Sequence, residues 1–191
     1  MTLRRGFLAE AERTATDLIV RSGQQGKAPI DVHLIARAAN VRVVAADQLI
    51  DAQRLRDLER VQAYAFSACT FDVGGKRVVV FNPLHSKERS NSDIAHELGH
   101  IVLDHELSEV REIGGLPFRS CQPDLEAEAT TLGAAILVPE KGLLAAARGG
   151  ADVTAIAQQF EVSKEMAQFR WNKVGVTKRL NRQTAYAKGR P

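Results

Sequence analysis

The pentapeptide His96-Glu97-Leu98-Gly99-His100 constrains this chain more than any other stretch. It lies in the run from Ser90 to His105, whose apolar residues recur at helical spacing, so we predict a helix there. Histidines four residues apart stand one turn above the other on a helix, about 6 Å apart along its axis, with both rings on one side. That arrangement can hold one metal ion.

Glu97 lies between the two histidines but leaves the helix in a different direction, roughly 60° to 100° away. A carboxylate in that position can reach a water molecule beside the metal but is badly placed to be a ligand. A general base needs this geometry. Gly99 costs about 1 kcal/mol in a helix relative to alanine, which predicts close packing against its backbone. The motif therefore predicts the zinc-binding helix of a metallopeptidase; the alternative is an ordinary amphipathic helix with two solvated histidines.

The composition excludes several classes of protein. With 191 residues, 45% of them hydrophobic, the chain is long enough for one domain with a substantial core. Two cysteines are too few for a disulfide framework, which favours a reducing compartment. The first ten residues lack the apolar stretch of a signal peptide, and no run approaches the roughly 20 apolar residues of a membrane span. We therefore expect a cytoplasmic protein without a membrane segment.

The segments before the motif predict one helix followed by a small sheet. Apolar residues at helical spacing predict a helix from Leu3 to Arg21, and Asp31 can cap a short helix that ends near Asn40. A charged helix is expected at 47–60. The β-prone runs are 41–45, 63–71 and 76–81, the last two joined by a hairpin turn at Gly74-Gly75.

Two features are predicted at the ends of the motif helix. Ser90 and Asp93 have the spacing of a capping box, so they are expected to begin the helix. The segment from Asp104 to Pro123 is rich in charge and glycine, which predicts a surface loop bordering a cleft.

The next predicted helix, from Asp124 to Val138, carries two candidates for a third ligand, Glu126 and Glu128. They lie 200° apart on a helix and cannot both face the metal. Glu128 shares the buried stripe with Leu125 and Leu132. Because an ionised carboxylate on an apolar face is costly without a partner, and a zinc ion is such a partner, Glu128 is predicted to be the ligand and Glu126 to be solvated.

The C-terminal part of the chain predicts a small helical unit. Residues 153–167 fit two short helices around a tight turn, as in a helix-turn-helix. From Gly150 onward there are eight basic and three acidic residues, although the net charge of the whole chain is only +3. Lys164, Arg170, Lys173, Lys178 and Arg179 fit either a DNA-binding surface or a solvated face. Residues 181–191 are polar and basic and are expected to fray.

With these motifs placed, the chain resembles the ImmA/IrrE family of HExxH metallopeptidases over roughly residues 28–175. In that family the third ligand precedes an alanine and then an asparagine or aspartate. Glu128 and Ala129 match this pattern, while Thr130 stands at the amide or acid position. The stretches that carry the resemblance are Pro29-Ile30-Asp31-Val32, Val80-Phe81-Asn82, Ile94 to Leu103, Glu126-Ala127-Glu128-Ala129 and Ala134 to Pro139.

The resemblance implies an α+β fold: a zincin-like core of a small β-sheet and the active-site helices, followed by the helix-turn-helix-like segment. We expect four parts in the chain. They are an N-terminal helix packing on the core (1–27), the zincin-like catalytic domain (28–148), the C-terminal helical segment (149–180) and a flexible basic tail (181–191).

The motif and the resemblance together predict a zinc endopeptidase with His96, His100 and Glu128 as ligands and Glu97 as general base. The resemblance implies cleavage of a helix-turn-helix transcriptional repressor, which would release genes of a mobile element or a stress response. Two alternatives stay open: a regulatory DNA- or repressor-binding protein with a structural or silent metal site, and a zinc hydrolase of non-peptide amides. Tyr64, His105 and loop arginines are all candidates for stabilising the oxyanion.

Overall fold

A computed structural model describes residues 3–63, 66–106, 110–113, 116–119 and 122–188. Helices and strands alternate first, and helices follow. The elements are α1 (Phe7–Arg21), α2 (Val32–Ala38), β1 (Arg42–Ala45), α3 (Ala52–Val61), β2 (Ala68–Val73), β3 (Lys76–Phe81), α4 (Lys87–Val102), β4 (Val110–Ile113), β5 (Leu116–Arg119), α5 (Pro123–Leu137), α6 (Glu140–Arg148), α7 (Val153–Phe160), α8 (Lys164–Val174) and α9 (Val176–Lys188). The predicted α+β class is confirmed.

The larger sheet has the strand order β1-β3-β2. The predicted hairpin is present: β2 and β3 are antiparallel and joined by Gly74 and Gly75, which both have positive φ. Val79 of β3 is fully buried in the main core with residues of α4, whereas Val80 belongs to a small second core with Leu55 of α3. Thr70 pairs with Val79 across the strands and therefore points to the same face of the sheet, toward α4.

The helix that carries the motif begins four residues earlier than its predicted cap. Ser86 is the N-cap, and its hydroxyl accepts a hydrogen bond from the backbone N–H of Arg89 at 3.3 Å. The predicted capping by Ser90 is wrong, because Ser90 lies inside the helix and its hydroxyl donates to the carbonyl of Asn82. At α2 the predicted cap is confirmed, since the Asp31 carboxylate accepts from the N–H of His33 at 2.8 Å.

One other segment differs from its prediction. The antiparallel strands β4 and β5 occupy part of the segment predicted to be a surface loop. Helix α9 continues to Lys188, within the predicted basic tail 181–191, and the flexibility of that tail stays a prediction. The predicted boundaries between the parts of the chain stay a prediction, because buried residues from α1 to the start of α9 belong to one hydrophobic cluster.

None of the described helices is by itself long and apolar enough to cross a membrane. Helices α5 and α6, bent by 54° at the break between them, reach that length and composition only as a pair. Most of α5 is buried inside this fold, from Glu128 to Leu137 with the exception of Thr130.

Helices α4 and α5 cross where their residues are small. A Cβ atom on Gly99 would lie 2.6 Å from the carbonyl oxygen of Ala129, and one on Gly133 would lie 2.8 Å from the carbonyl oxygen of Ala95. The two backbones are therefore in direct contact, which confirms the close packing predicted at Gly99. This contact also turns the side of α5 that bears Gly133 toward the motif helix.

Substituting Gly99 by alanine should lower the free energy of unfolding by about 1–3 kcal/mol, the usual cost of forcing extra atoms into a packed core. The opposing atoms are backbone and cannot move independently. Urea unfolding measures the change. Gly142→Ala in α6 is the control, since its nearest neighbour is the Phe160 ring at 3.1 Å, a side chain that can shift. Equal stability of Gly99→Ala and the wild type would contradict this account of the crossing.

Candidate metal centre

The rings of His96 and His100 meet on one side of α4, as their spacing predicts. Their Nε2 atoms lie 3.1 Å apart, and the ring planes are nearly perpendicular at 74°. The side chains are 29% and 16% exposed, so both rings are partly accessible rather than fully buried in the core. Both histidines therefore present the same ring nitrogen to a common point.

Glu126 brings a carboxylate from α5 to that point. Its Oε2 lies 3.1 Å from Nε2 of His96, and its Oε1 lies 3.6 Å from Nε2 of His100. Ligand atoms on a tetrahedral zinc ion with bonds of about 2.0–2.1 Å are about 3.3 Å apart, so these separations fit one ion. Among the described residues, His96, His100 and Glu126 form the group of three that could hold a metal.

The structure places Glu128 elsewhere, so the prediction that Glu128 faces the histidines is corrected. The carboxylate is buried, as the sequence indicated, with its side chain 9% exposed. However, Oε1 accepts a hydrogen bond from Nε of Arg4 at 2.8 Å, and Oε2 lies 3.5 Å from Nε2 of His105. The buried charge does have partners, but they are a guanidinium and an imidazole instead of a metal ion.

The choice between the glutamates failed because the apolar stripe of α5 is not the side that meets α4. That side is marked by small residues instead. Gly133 touches the backbone of α4, and Thr130 and Glu126 lie three and seven residues before it, on the same side of the helix. Gly133, which packs on the backbone of Ala95 as Gly99 packs on that of Ala129, is the signal in the sequence for the side of α5 that carries Glu126.

The second nitrogen of the first histidine also has a partner. Nδ1 of His96 lies 3.2 Å from the hydroxyl oxygen of Thr130, which can accept a hydrogen bond from the ring. Partners of this kind fix the tautomer and orientation of metal-binding histidines. The Thr130 hydroxyl is thus a hydrogen-bond partner for the His96 ring, as an asparagine or aspartate side chain at this position would be.

Glu97 turns away from the histidines and toward the sheet. The hydroxyl of Thr70, on β2, donates a hydrogen bond to Oε2 of Glu97 at 2.6 Å. Glu97 is outside the group that could share an ion, as predicted from its direction on the helix. Its carboxylate is instead bound to the sheet through the Thr70 hydroxyl.

Two of the residues considered for the oxyanion can now be placed. His105 contacts Nδ1 of His100, the edge of the ring opposite to the atom that faces His96 and Glu126. It is therefore on the wrong side of His100 to reach a substrate. Tyr64 lies outside the described residues.

Burial lowers the pKa of His100 below its ordinary value of 6.5, and repulsion from His96 lowers it further, while Glu126 and Glu97 oppose the shift. The ring is consequently neutral at neutral pH. A histidine must be neutral to bind a metal ion, so the environment favours the state that a ligand needs.

Comparison with known proteins identifies a family. The family model described as IrrE N-terminal-like domain, of the M78 peptidases, matches residues 36–172. A solved structure of a Mycobacterium tuberculosis transcriptional regulator aligns with a TM-score of 0.47 and 16% identity, and covers 88% of this chain. The chain spans less than half of that protein, 47% of its length, and the likeness is too distant to indicate a function. No curated protein matches the chain significantly.

The lowered pKa of His100 predicts how the metal-free protein responds to acid. Because the folded-state pKa lies below 6.5, the unfolded chain binds more protons as the pH falls below that value, and stability is lost there. Urea unfolding of chelator-treated protein between pH 7.5 and 5 measures this loss. Burial raises the pKa of Asp93, so protonation of this carboxyl stabilises the fold as the pH falls and opposes the effect of His100. The wild type is therefore compared with His100→Gln, which keeps Asp93 and lacks the imidazole. The variant should lose less stability over this range, and an equal loss would contradict the prediction.

Proposed function

Because the chain belongs to the ImmA/IrrE family of peptidases, we propose that it is a zinc-dependent metallo-endopeptidase. The observation that carries the proposal is the meeting of three ligand side chains, which offer one ligand atom each within 4.8 Å of one another, on the helix that also carries Glu97 and on α5. The ligands in this proposal are His96, His100 and Glu126. Two histidines and one carboxylate form the ligand set of a catalytic zinc site, which keeps one position open.

Zinc bound to these residues would polarise the scissile carbonyl and make water acidic enough to ionise near neutral pH. Glu97 then accepts the proton of the attacking water while the water oxygen bonds to the carbonyl carbon. When the carbon–nitrogen bond breaks, Glu97 returns that proton to the leaving amine. The hydrogen bond from Thr70 to Oε2 restricts the rotamers of the Glu97 side chain.

The edge of the sheet offers a place for the substrate. Among the described strands, β2 pairs only with β3 and is therefore an edge strand of the three-stranded sheet. An extended peptide can add to such an edge through backbone hydrogen bonds. Because Thr70 of β2 touches Glu97, a peptide on this edge would run past the general base.

We propose that the substrate is a helix-turn-helix repressor and that its cleavage derepresses mobile-element or stress genes.

The alternative of a DNA-binding regulator receives less support. Helices α7 and α8 form the predicted helix-turn-helix-like pair, yet Arg170 of α8 is 1% exposed. Its guanidinium donates to the carbonyl of Val138 and to the carboxylate of Glu12. A basic residue counted toward a DNA-binding face is therefore an internal structural residue.

The ligand set predicts different outcomes for the two glutamates of α5. Glu126→Gln should lose stoichiometric zinc, because a neutral amide is a poor zinc ligand and two histidines alone bind weakly. Glu128→Gln has the same change of charge two residues away and should still bind one equivalent. Zinc content after dialysis, measured by atomic absorption, decides between them. Loss of zinc from Glu128→Gln but not from Glu126→Gln would restore the ligand set expected from the sequence.

Glu97→Gln should retain zinc and the fold while cleavage falls by about 10²–10⁴, because only the proton acceptor is removed. The assay follows the length of a repressor encoded beside this gene, and the expression of the genes that the repressor silences. Glu88→Gln, an equal change of charge in the first turn of the same helix, is the control and should be fully active. If Glu97→Gln derepresses as well as the wild type while the repressor stays intact, the protein acts by binding and is not a peptidase.

A further inference from the structure

A buried chain of side chains leads from the proposed ligand His100 into the protein. Nδ1 of His105 lies 3.0 Å from Nδ1 of His100, and Nε2 of His105 lies 3.5 Å from Oε2 of Glu128. The side chains of His105 and Glu128 are only 6% and 9% exposed. We call these three residues the imidazole–carboxylate chain.

The hydrogen bonds of the imidazole–carboxylate chain can be arranged in only one way when His100 binds a metal through Nε2. His100 then keeps its proton on Nδ1 and must donate to His105. A neutral ring has one acceptor and one donor, so His105 accepts at Nδ1 and carries its proton on Nε2. That proton faces the Glu128 carboxylate, whose Oε2 lies 3.5 Å from Nε2.

The far end of the chain is fixed by the N-terminal segment. The other carboxylate oxygen of Glu128 accepts the hydrogen bond from Nε of Arg4, and the remaining guanidinium nitrogens of Arg4 bind both oxygens of Glu10 at 2.7 Å. Glu128 is therefore held in one orientation by a charge-assisted bond. With both of its carboxylate oxygens engaged, Glu128 can orient the ring of His105.

We propose that His105 and Glu128 are positioning residues for the metal centre, acting on His100 as Thr130 acts on His96. This inference rests on the proposed function, because it assigns the role of the chain from the metal held by His100. It also explains why a glutamate is buried two residues after the proposed ligand. Removing such a partner typically lowers metal affinity about 10–100-fold.

The test is the zinc affinity of three variants, measured by competition with a chromophoric chelator at pH 7.5. His105→Phe keeps a planar ring but removes the acceptor, so affinity should fall about 10–100-fold. His105→Asn places a carbonyl oxygen near the former Nδ1 and should restore affinity to within a few-fold of the wild type. His85→Phe is the control, since His85 is also buried but contacts Glu59 and Asp93 instead of the ligands.

Equal affinity of His105→Phe and the wild type would overturn the proposal. So would an equal loss in His85→Phe, because the effect would then come from general destabilisation. The proposed function fails separately: if the wild type binds no zinc, or if Glu126→Gln binds it normally, the ligand set itself is wrong. A loss of affinity in His105→Phe with rescue in His105→Asn supports the inference only when the wild type binds zinc through Glu126.

A second measurement needs no variant at His105 and remains valid if His105→Phe does not fold. Nitrogen-15 NMR of the histidine rings in the zinc-loaded wild type should find His105 neutral with its proton on Nε2. A proton on Nδ1 of His105 would leave two donors facing each other and would overturn the proposal.

Discussion

The direct contact between the backbones of α4 and α5 is the constraint on which the site depends. Gly99 rests on the carbonyl of Ala129, and Gly133 rests on the carbonyl of Ala95. Two contacts, one turn apart on each helix, fix both the distance and the rotation of the helices. Glu126 is thereby held across from His96 and His100 at ligand distance, although 26 residues separate it from the second histidine.

A second constraint comes from the buried charge of Glu128. An ionised carboxylate in the core is costly unless its oxygens are hydrogen-bonded, and here one oxygen is bound by Arg4 from the segment before α1. Helix α1, which follows this segment, packs on α5, and its buried residues include Phe7, Ala11 and Ala15. The N-terminal segment therefore contributes to the surroundings of the metal centre as well as to the core.

Much of this structure could be predicted from the sequence because the decisive signals are local. The spacing of His96 and His100, the cap Asp31 and the turn at Gly74-Gly75 each follow from a few neighbouring residues. The proposed third ligand, Glu126, could not be predicted in the same way. Its identity depends on which side of α5 meets α4, and hydrophobic periodicity indicated the side that packs into the core instead. Equally, the partners of Glu128 come from Arg4, 124 residues away, and no local pattern predicts that contact.

The position of Glu97 follows from the same crossing together with the sheet. Helix α4 packs on the face of the sheet that includes Val79. Glu97 therefore points toward β2, where its carboxylate accepts a hydrogen bond from Thr70. A carboxylate on a long side chain has several rotamers, and a hydrogen bond of 2.6 Å selects one of them. Helix α4 thus supplies the two histidines, α5 supplies the proposed third ligand, and the sheet orients the proposed base. Each of the three depends on a different packing contact, so a change in one contact can move Glu97 and leave the proposed ligand set intact.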